Sequence, residues 1–140
     1  MDAASVDRWL NAYVEAWKSY DREAIAALYA EDAECRYHPY DDPIRGRDAI
    51  VDSWFGVGET APSQDREGTY DASYRPVAID GDLAVVVGVS TYADPPATYD
   101  NCWLIRSSLR PSASTKIALR MISACWCSRS PPEPGITSGA

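Results

Sequence analysis

Apolar side chains recur every three or four residues near the start of the chain. Val6, Trp9, Leu10, Tyr13, Val14, Trp17 and Tyr20 fall on one helical stripe, while Asp7, Arg8, Asn11, Glu15 and Lys18 fall largely elsewhere. Asp2 or Ser5 supplies an N-cap. The stripe is broad and aromatic, so it is expected to lie on a large surface such as a sheet. Asp21 caps a second helix with Ala24, Ile25, Leu28 and Tyr29 on its buried side. Residues 29–33 end that helix, and Glu34 to Tyr37 reads as a short strand. His38-Pro39-Tyr40-Asp41-Asp42-Pro43 is a loop, because its prolines and aspartates break regular structure. Ile44-Arg45-Gly46-Arg47 leads into a third helix, with Ile50, Val51, Trp54 and Phe55 on one face.

Residues 56–68 are rich in Gly, Pro, Ser and charge and are expected to be a loop. The period then changes from helical to alternating. Thr69 to Ile79 is strand-like, and Pro76 within it points to a sheet edge or a bulge. Asp80-Gly81-Asp82 is a hairpin turn signal before the β-branched run Leu83 to Tyr92. Asp94-Pro95-Pro96-Ala97 is a second turn, and Thr98 to Arg106 a further strand. Helices first and antiparallel hairpins later give an α+β domain of three N-terminal helices on a mainly antiparallel sheet.

Composition narrows the function classes. The 140 residues suit one domain. The nine Tyr and five Trp against one Phe favour an interior that needs hydrogen bonds as well as apolar contact. A net charge of −8 disfavours nucleic acid and anionic membrane surfaces. No apolar run approaches the roughly 18 residues of a spanning helix. The first residues lack a basic segment followed by an apolar stretch, so a cytoplasmic location is expected. Cys35, Cys102, Cys125 and Cys127 then read as reduced, buried thiols, with no spacing that completes a zinc site. Gly56-Val57-Gly58 lacks the third Gly and preceding strand of a dinucleotide site. No cofactor and no metal are expected.

From Ser107 onward the chain changes character. Residues 1–106 carry 20 acidic and nine basic side chains, and residues 107–140 carry one and four. All nine Tyr precede residue 100, and eight Ser fall in the last 34 residues. Residues 117–127 could form a strand, and 130–140 read as disordered. A natural flexible tail and a tail read in a different frame both account for this shift. No turn signal follows Thr98–Arg106, so the strand that should pair with it is in doubt.

The order of these elements resembles the nuclear-transport-factor-2-like superfamily, in its SnoaL-like and ketosteroid-isomerase-like branch. The stretches that carry the resemblance are Tyr13-Val14-Glu15-Ala16-Trp17, Asp21-Arg22-Glu23-Ala24-Ile25, Leu28-Tyr29-Ala30-Glu31-Asp32-Ala33, Pro43-Ile44-Arg45-Gly46-Arg47-Asp48-Ala49-Ile50 and Tyr99-Asp100-Asn101-Cys102-Trp103-Leu104-Ile105-Arg106. It implies a cone of three helices on a curved sheet over about residues 5–106, enclosing a pocket, with 107–140 as an atypical tail. The fold does not specify the reaction. Relatives include isomerases, polyketide cyclases and dehydratases.

Ketosteroid isomerases polarise a carbonyl with a Tyr and a protonated Asp and move the proton with an Asp base. The resemblance places Tyr13 on the catalytic Tyr and Asp100 on the oxyanion-hole Asp. The base position falls on Tyr37, which is not a carboxylate. Strand alternation puts Asp100, Cys102 and Leu104 on one side and Tyr99, Asn101 and Trp103 on the other, and either set could face the pocket. His38, with Asp41 beside it, is an alternative general base. Trp17, Tyr37, Trp54, Tyr92 and Asn101 are candidate ligand-lining residues. The expected function is a pocket protein for a small hydrophobic molecule. The alternatives are a cofactor-independent isomerase, cyclase or dehydratase acting on a carbonyl compound, and an altered, non-functional gene product. A homodimer is open.

Overall fold

The computed structural model describes residues 1–38, 40–55, 70–93 and 96–107, and the backbone of 119–128. Helix α1 (Ala3–Ser19) starts at Asp2, whose carboxylate accepts from the Ser5 amide at 2.7 Å, while Ser5 Oγ accepts from the Asp2 amide at 3.2 Å. This reciprocal cap satisfies two amides that the helix itself cannot. It also holds the Asp2 carboxyl below its usual range. The helix stops at Tyr20, whose left-handed backbone (φ 52°) turns the amide back to Ala16 O at 3.0 Å. Helix α2 (Arg22–Ala27) begins at the expected cap, with Asp21 accepting from the Glu23 amide at 3.0 Å.

Two short strands follow, β1 (Glu34–Cys35) and β2 (Ile44–Arg45), paired antiparallel through Cys35 and Ile44. The strand expected from Glu34 is therefore shorter. Ile44–Arg45, expected to lead into a helix, belongs to this bridge. Gly46 (φ +87°) then turns the chain, donating its amide to Ala33 O at 2.8 Å, and helix α3 (Arg47–Phe55) starts. Arg22 pairs with Asp52 and lies 4.7 Å over the Phe55 ring, tying α2 to α3.

The main sheet is antiparallel in the order β3 (Tyr70–Asp80), β4 (Leu83–Ala93), β5 (Pro96–Ser107) and β6 (Leu119–Ser128). Gly81 (φ +57°) makes the β3–β4 turn that the Asp-Gly signal announces. Pro76 sits on edge strand β3 beside a register shift between Pro76 and Ala78, so both devices that accommodate a strand proline are present. β5 does have a partner. Its ladder to β6 runs from Tyr99↔Ser128 to Ser107↔Leu119, and β6 runs through the segment read as a strand over 117–127. The loop expected over 56–68, Pro39, Asp94, Pro95 and the disorder expected over 130–140 lie outside the described residues.

The helices cover one face of the sheet. Val6, Leu10, Ile25, Ile50, Val86, Trp103 and Ile105 are at most 2% exposed at this junction. Burying a side chain of that size contributes about 1.5–3 kcal/mol. Alternation along β5 is strict: Asn101, Trp103, Ile105 and Ser107 are buried, and Cys102, Leu104 and Arg106 are exposed. Cys102 therefore departs from the expectation of buried thiols, whereas Cys35 is buried. No helix among the described residues is long and apolar enough to cross a membrane.

Candidate functional site

The helical stripe of α1 and the inner face of β3–β5 meet in a cluster of rings. Tyr13 is at its centre. Its ring centroid lies 5.5 Å from Trp9 and 6.2 Å from Trp17 along the helix. It lies 5.2 Å from Trp54 on α3, 6.2 Å from Tyr74 on β3 and 4.9 Å from Trp103 on β5. Trp17 in turn contacts Trp54 at 4.5 Å and Tyr70 at 5.7 Å. Spacing of four residues on α1 stacks Trp9, Tyr13 and Trp17 along one line, which is why one helix reaches β3, β5 and α3. Burial, reinforced by the neighbouring phenols of Tyr29, Tyr74, Tyr70 and Tyr37, raises the Tyr13 phenol well above its ordinary value. Tyr13 is thus a neutral donor near pH 7.

Through this apolar cluster runs a polar thread. The Tyr70 and Tyr74 hydroxyls are 3.1 Å apart. Asn101 Nδ2 donates to Ser90 Oγ at 3.0 Å and to Tyr99 O at 3.3 Å. Gly88 makes this possible. It pairs with Tyr74 on one side and Asn101 on the other, and the Tyr74 ring lies over it and reaches Trp103 at 4.2 Å. A glycine inside a strand marks such a close approach. Three polar atoms in the cluster are buried with no hydrogen-bond partner among the described residues: Trp17 Nε1, Trp103 Nε1 and Asn101 Oδ1. Each such atom costs about 1–3 kcal/mol.

The residues singled out in the sequence divide into three groups. Tyr13, Trp17, Trp54, Tyr92 and Asn101 all belong to the buried inner cluster, at 4%, 8%, 3%, 5% and 4% exposure. Tyr37 is half-buried at its border. Its hydroxyl is 2.9 Å from Ser53 Oγ, and burial pushes the phenol up to about 12. Asp100, His38 and Asp41 stand apart from the cluster. Asp100 lies on the outer face of β5, in an open groove with Ser73, Arg75 and Val89. Tyr13 and Asp100 are therefore on opposite sides of the sheet and do not form a joint oxyanion hole, because adjacent parity on a strand means opposite faces. His38 and Asp41 are brought together, with Nδ1 to Oδ2 at 2.8 Å, but on an exposed turn where both side chains are about half exposed. Residues missed from the sequence are Tyr70, Tyr74, Ser90, Trp103 and Gly88. The lone glycine in the valine-rich run of β4 was the readable signal for them. Among the described residues, no group of His, Cys, Asp and Glu could hold a metal ion.

Solved structures share this fold. A ketosteroid isomerase-like protein from Erwinia carotovora atroseptica aligns with TM-score 0.52 and 22% identity over 92% of this chain and 97% of its own. An NTF-2 like protein of unknown function from Burkholderia xenovorans aligns with TM-score 0.55 and 17% identity, covering 93% and 87%. The CaMKII hub of S. rosetta aligns with TM-score 0.58 and 15% identity, covering 92% and 98%. No curated protein matches the sequence. Identities this low establish the fold and leave chemistry open. The SnoaL-like domain model matches residues 10–123, which takes in the second half of α1, all of α2 and α3, the whole of β3–β5 and half of β6. The chain belongs to the SnoaL-like domain family.

Proposed function

We propose that the protein binds a small hydrophobic molecule in the aromatic interior and does not turn it over. The parity of β5 carries this reading: Tyr99, Asn101 and Trp103 are turned to Tyr13, and the carboxylate of Asp100 is turned away. The buried polar residues are Ser5, Ser90, Asn101 and Ser107, so no carboxylate or imidazole of the described residues is buried in the interior. The ionisable groups that are buried there are phenols and the Cys35 thiol. Burial raises Tyr13, Tyr29 and Tyr74, and pushes Cys35 up to about 12. A general base has to be deprotonated near the working pH, and none of these is. Trp17, Trp54 and Tyr92 offer flat apolar contacts, with Tyr37 at the border, and Tyr13 and Asn101 offer hydrogen bonds. The test is a thermal-shift and tryptophan-fluorescence screen with steroids and polycyclic aromatics, paired with chromatography of each recovered compound. At 100 times Kd a ligand adds about 2.7 kcal/mol of stability. A compound recovered chemically changed at a catalytic rate would overturn the reading.

A second reading, a cofactor-independent isomerase, cyclase or dehydratase, rests on the 2.8 Å contact of His38 with Asp41. A carboxylate that orients an imidazole is the arrangement of a general base. In that reading Tyr13 polarises a substrate carbonyl. His38→Ala and Asp41→Asn abolish turnover if it holds. A homodimer belongs with either reading; the outer sheet face, where Val77 and Leu104 are 46% and 37% exposed, is the surface it would cover.

A further inference from the structure

We propose that Cys102 and Cys125 are a redox-active pair that closes a disulfide between β5 and β6, with a small disulfide such as glutathione disulfide as the oxidant. The pair belongs to the outer face of the sheet, apart from the ligand-binding interior.

Register brings the two residues together. The β5–β6 ladder runs without a shift from Tyr99↔Ser128 to Leu104↔Ser123, and within it Cys102 stands directly opposite Cys125. Opposite residues on antiparallel strands share a face of the sheet, with Cα atoms about 4.5 or 5.5 Å apart according to the type of pair. Both separations fall within the roughly 4.4–6.8 Å that a disulfide spans. Cys102 is an exposed thiol on the same face as Leu104 and Arg106. The register position of Cys125 is therefore on that outer face too, and a reagent in solvent can reach Cys102.

The fold excludes the other pairings of the four cysteines. Cys127 stands opposite Asp100, so it is only a diagonal neighbour of Cys102. Diagonal Cα atoms are about 7–8 Å apart, beyond what a disulfide bridges without backbone movement. Cys125 and Cys127 are two positions apart on one strand. Such positions are about 6.7 Å apart with parallel Cα–Cβ bonds, whereas a disulfide brings the Cβ atoms to about 4.5 Å or less. Cys35 is 1% exposed in β1, and burial pushes its thiol up to about 12, so it is both shielded and protonated. The two cysteines nearest in sequence are thus not the pair.

The exchange balances. The Cys102 thiolate attacks one sulfur of glutathione disulfide, whose S–S bond breaks, and one glutathione leaves as its thiolate. The Cys125 thiolate then attacks the Cys102 sulfur of this mixed disulfide and releases the second glutathione. Two electrons pass from the cysteines to the oxidant, and the two thiol protons end on the two glutathiones. In the main sheet β6 is an edge strand with β5 as its neighbour. The new bond closes the chain from Cys102 to Cys125, restricts the unfolded state and raises Tm by about 10 °C.

The experiment equilibrates the reduced full chain with reduced and oxidised glutathione at several ratios. Remaining thiols are trapped with N-ethylmaleimide, and the bonds are mapped by peptide mass spectrometry with fragmentation. The expected result is one intramolecular bond from Cys102 to Cys125, a chain lighter by two hydrogen atoms, and the rise in Tm, all reversed by dithiothreitol. Cys127→Ser still forms the bond, whereas Cys102→Ser and Cys125→Ser do not. A bond from Cys102 to Cys127, a bond from Cys125 to Cys127, or chains linked to one another overturns the pairing. A chain that keeps its thiols, or stops at the mixed disulfide, at the most oxidising ratio overturns it too. An unchanged or lowered Tm of the bonded form overturns the claim that β5 and β6 already hold the two residues at bonding distance. Mapping on the unmodified chain decides the matter even if a serine variant does not fold.

Discussion

Replacing Gly88 by alanine puts a methyl group where β3 already is. The added carbon overlaps Tyr74 Cδ1 and the Ser73 carbonyl oxygen, and lies 2.9 Å from Tyr74 Cα. The ring could swing aside, but only by leaving Trp103, and the two backbone atoms cannot rotate away at all. Overpacking of this kind costs about 1–3 kcal/mol, and rigid neighbours place Gly88→Ala near the upper end. An opposing effect exists, since alanine restricts the unfolded chain and is worth about 0.4–1 kcal/mol where the site tolerates it. The overlap is larger, so a net loss of about 2 kcal/mol is expected. For a domain of this size that lowers Tm by about 8 °C and the urea midpoint by about 1 M. Near-ultraviolet circular dichroism should also change, because the Tyr74–Trp103 contact is disturbed. A double-mutant cycle with Tyr74→Ala isolates the ring's share, and a coupling of about 1 kcal/mol or more is expected. Stability of Gly88→Ala equal to or above the parent would refute the close approach of β3 to β4 and the reasoning built on it.

Four further outcomes follow from the same geometry. Tyr37 holds its proton more tightly folded (about 12) than its ordinary value of 10, and Tyr13 and Tyr29 are shifted the same way. The stabilisation is whole below pH 10 and disappears as the pH rises from about 10 to about 12, so urea midpoints should fall across that window and less steeply in Tyr37→Phe; a flat profile to pH 11.5 contradicts it. Asp100→Asn should leave interior ligand affinity within about twofold, since the side chain is on the outer face, whereas Trp103→Ala should destabilise by about 3–5 kcal/mol in chemical denaturation. If the outer sheet face joins two copies, Leu104→Glu should convert a dimer to a monomer in light scattering; an unchanged mass excludes that surface.

The parts of the fold written in local pattern were legible in the sequence. The α1 stripe, the Asp21 cap and the Asp-Gly turn each depend on residues a few positions apart, and each signal has one physical meaning. The pair β1–β2 was not legible in that way. Its two-residue strands exist only because Cys35 meets Ile44, and two residues carry no periodicity. The inward face of β5 was hidden for a different reason. Both parities mix polar and apolar groups, Asp100 with Leu104 and Asn101 with Trp103, so alternation alone could not choose. The choice is made by Tyr13, which needs a partner across the interface and finds Trp103 at 4.9 Å. The polar thread was concealed because Tyr70, Tyr74 and Ser90 each look ordinary until β3, β4 and β5 are placed in register.

That alternation along β5 also dictates how the chain can change length. Deleting one residue before Asn101 would turn Trp103 and Ile105 outward and swing Asp100 and Leu104 toward the helices, exchanging a ring cluster for a buried carboxylate. Deleting two would keep every face and shift only the hydrogen-bond partners. A single inserted residue is tolerable only where it can be pushed out as a bulge, and the β5–β6 ladder already has an irregularity between Leu104 and Ile105. The extra residue at that irregularity, Ile122, belongs to β6, while β5 keeps an unbroken register with β4, so insertions and deletions in β5 are expected to be accepted in pairs.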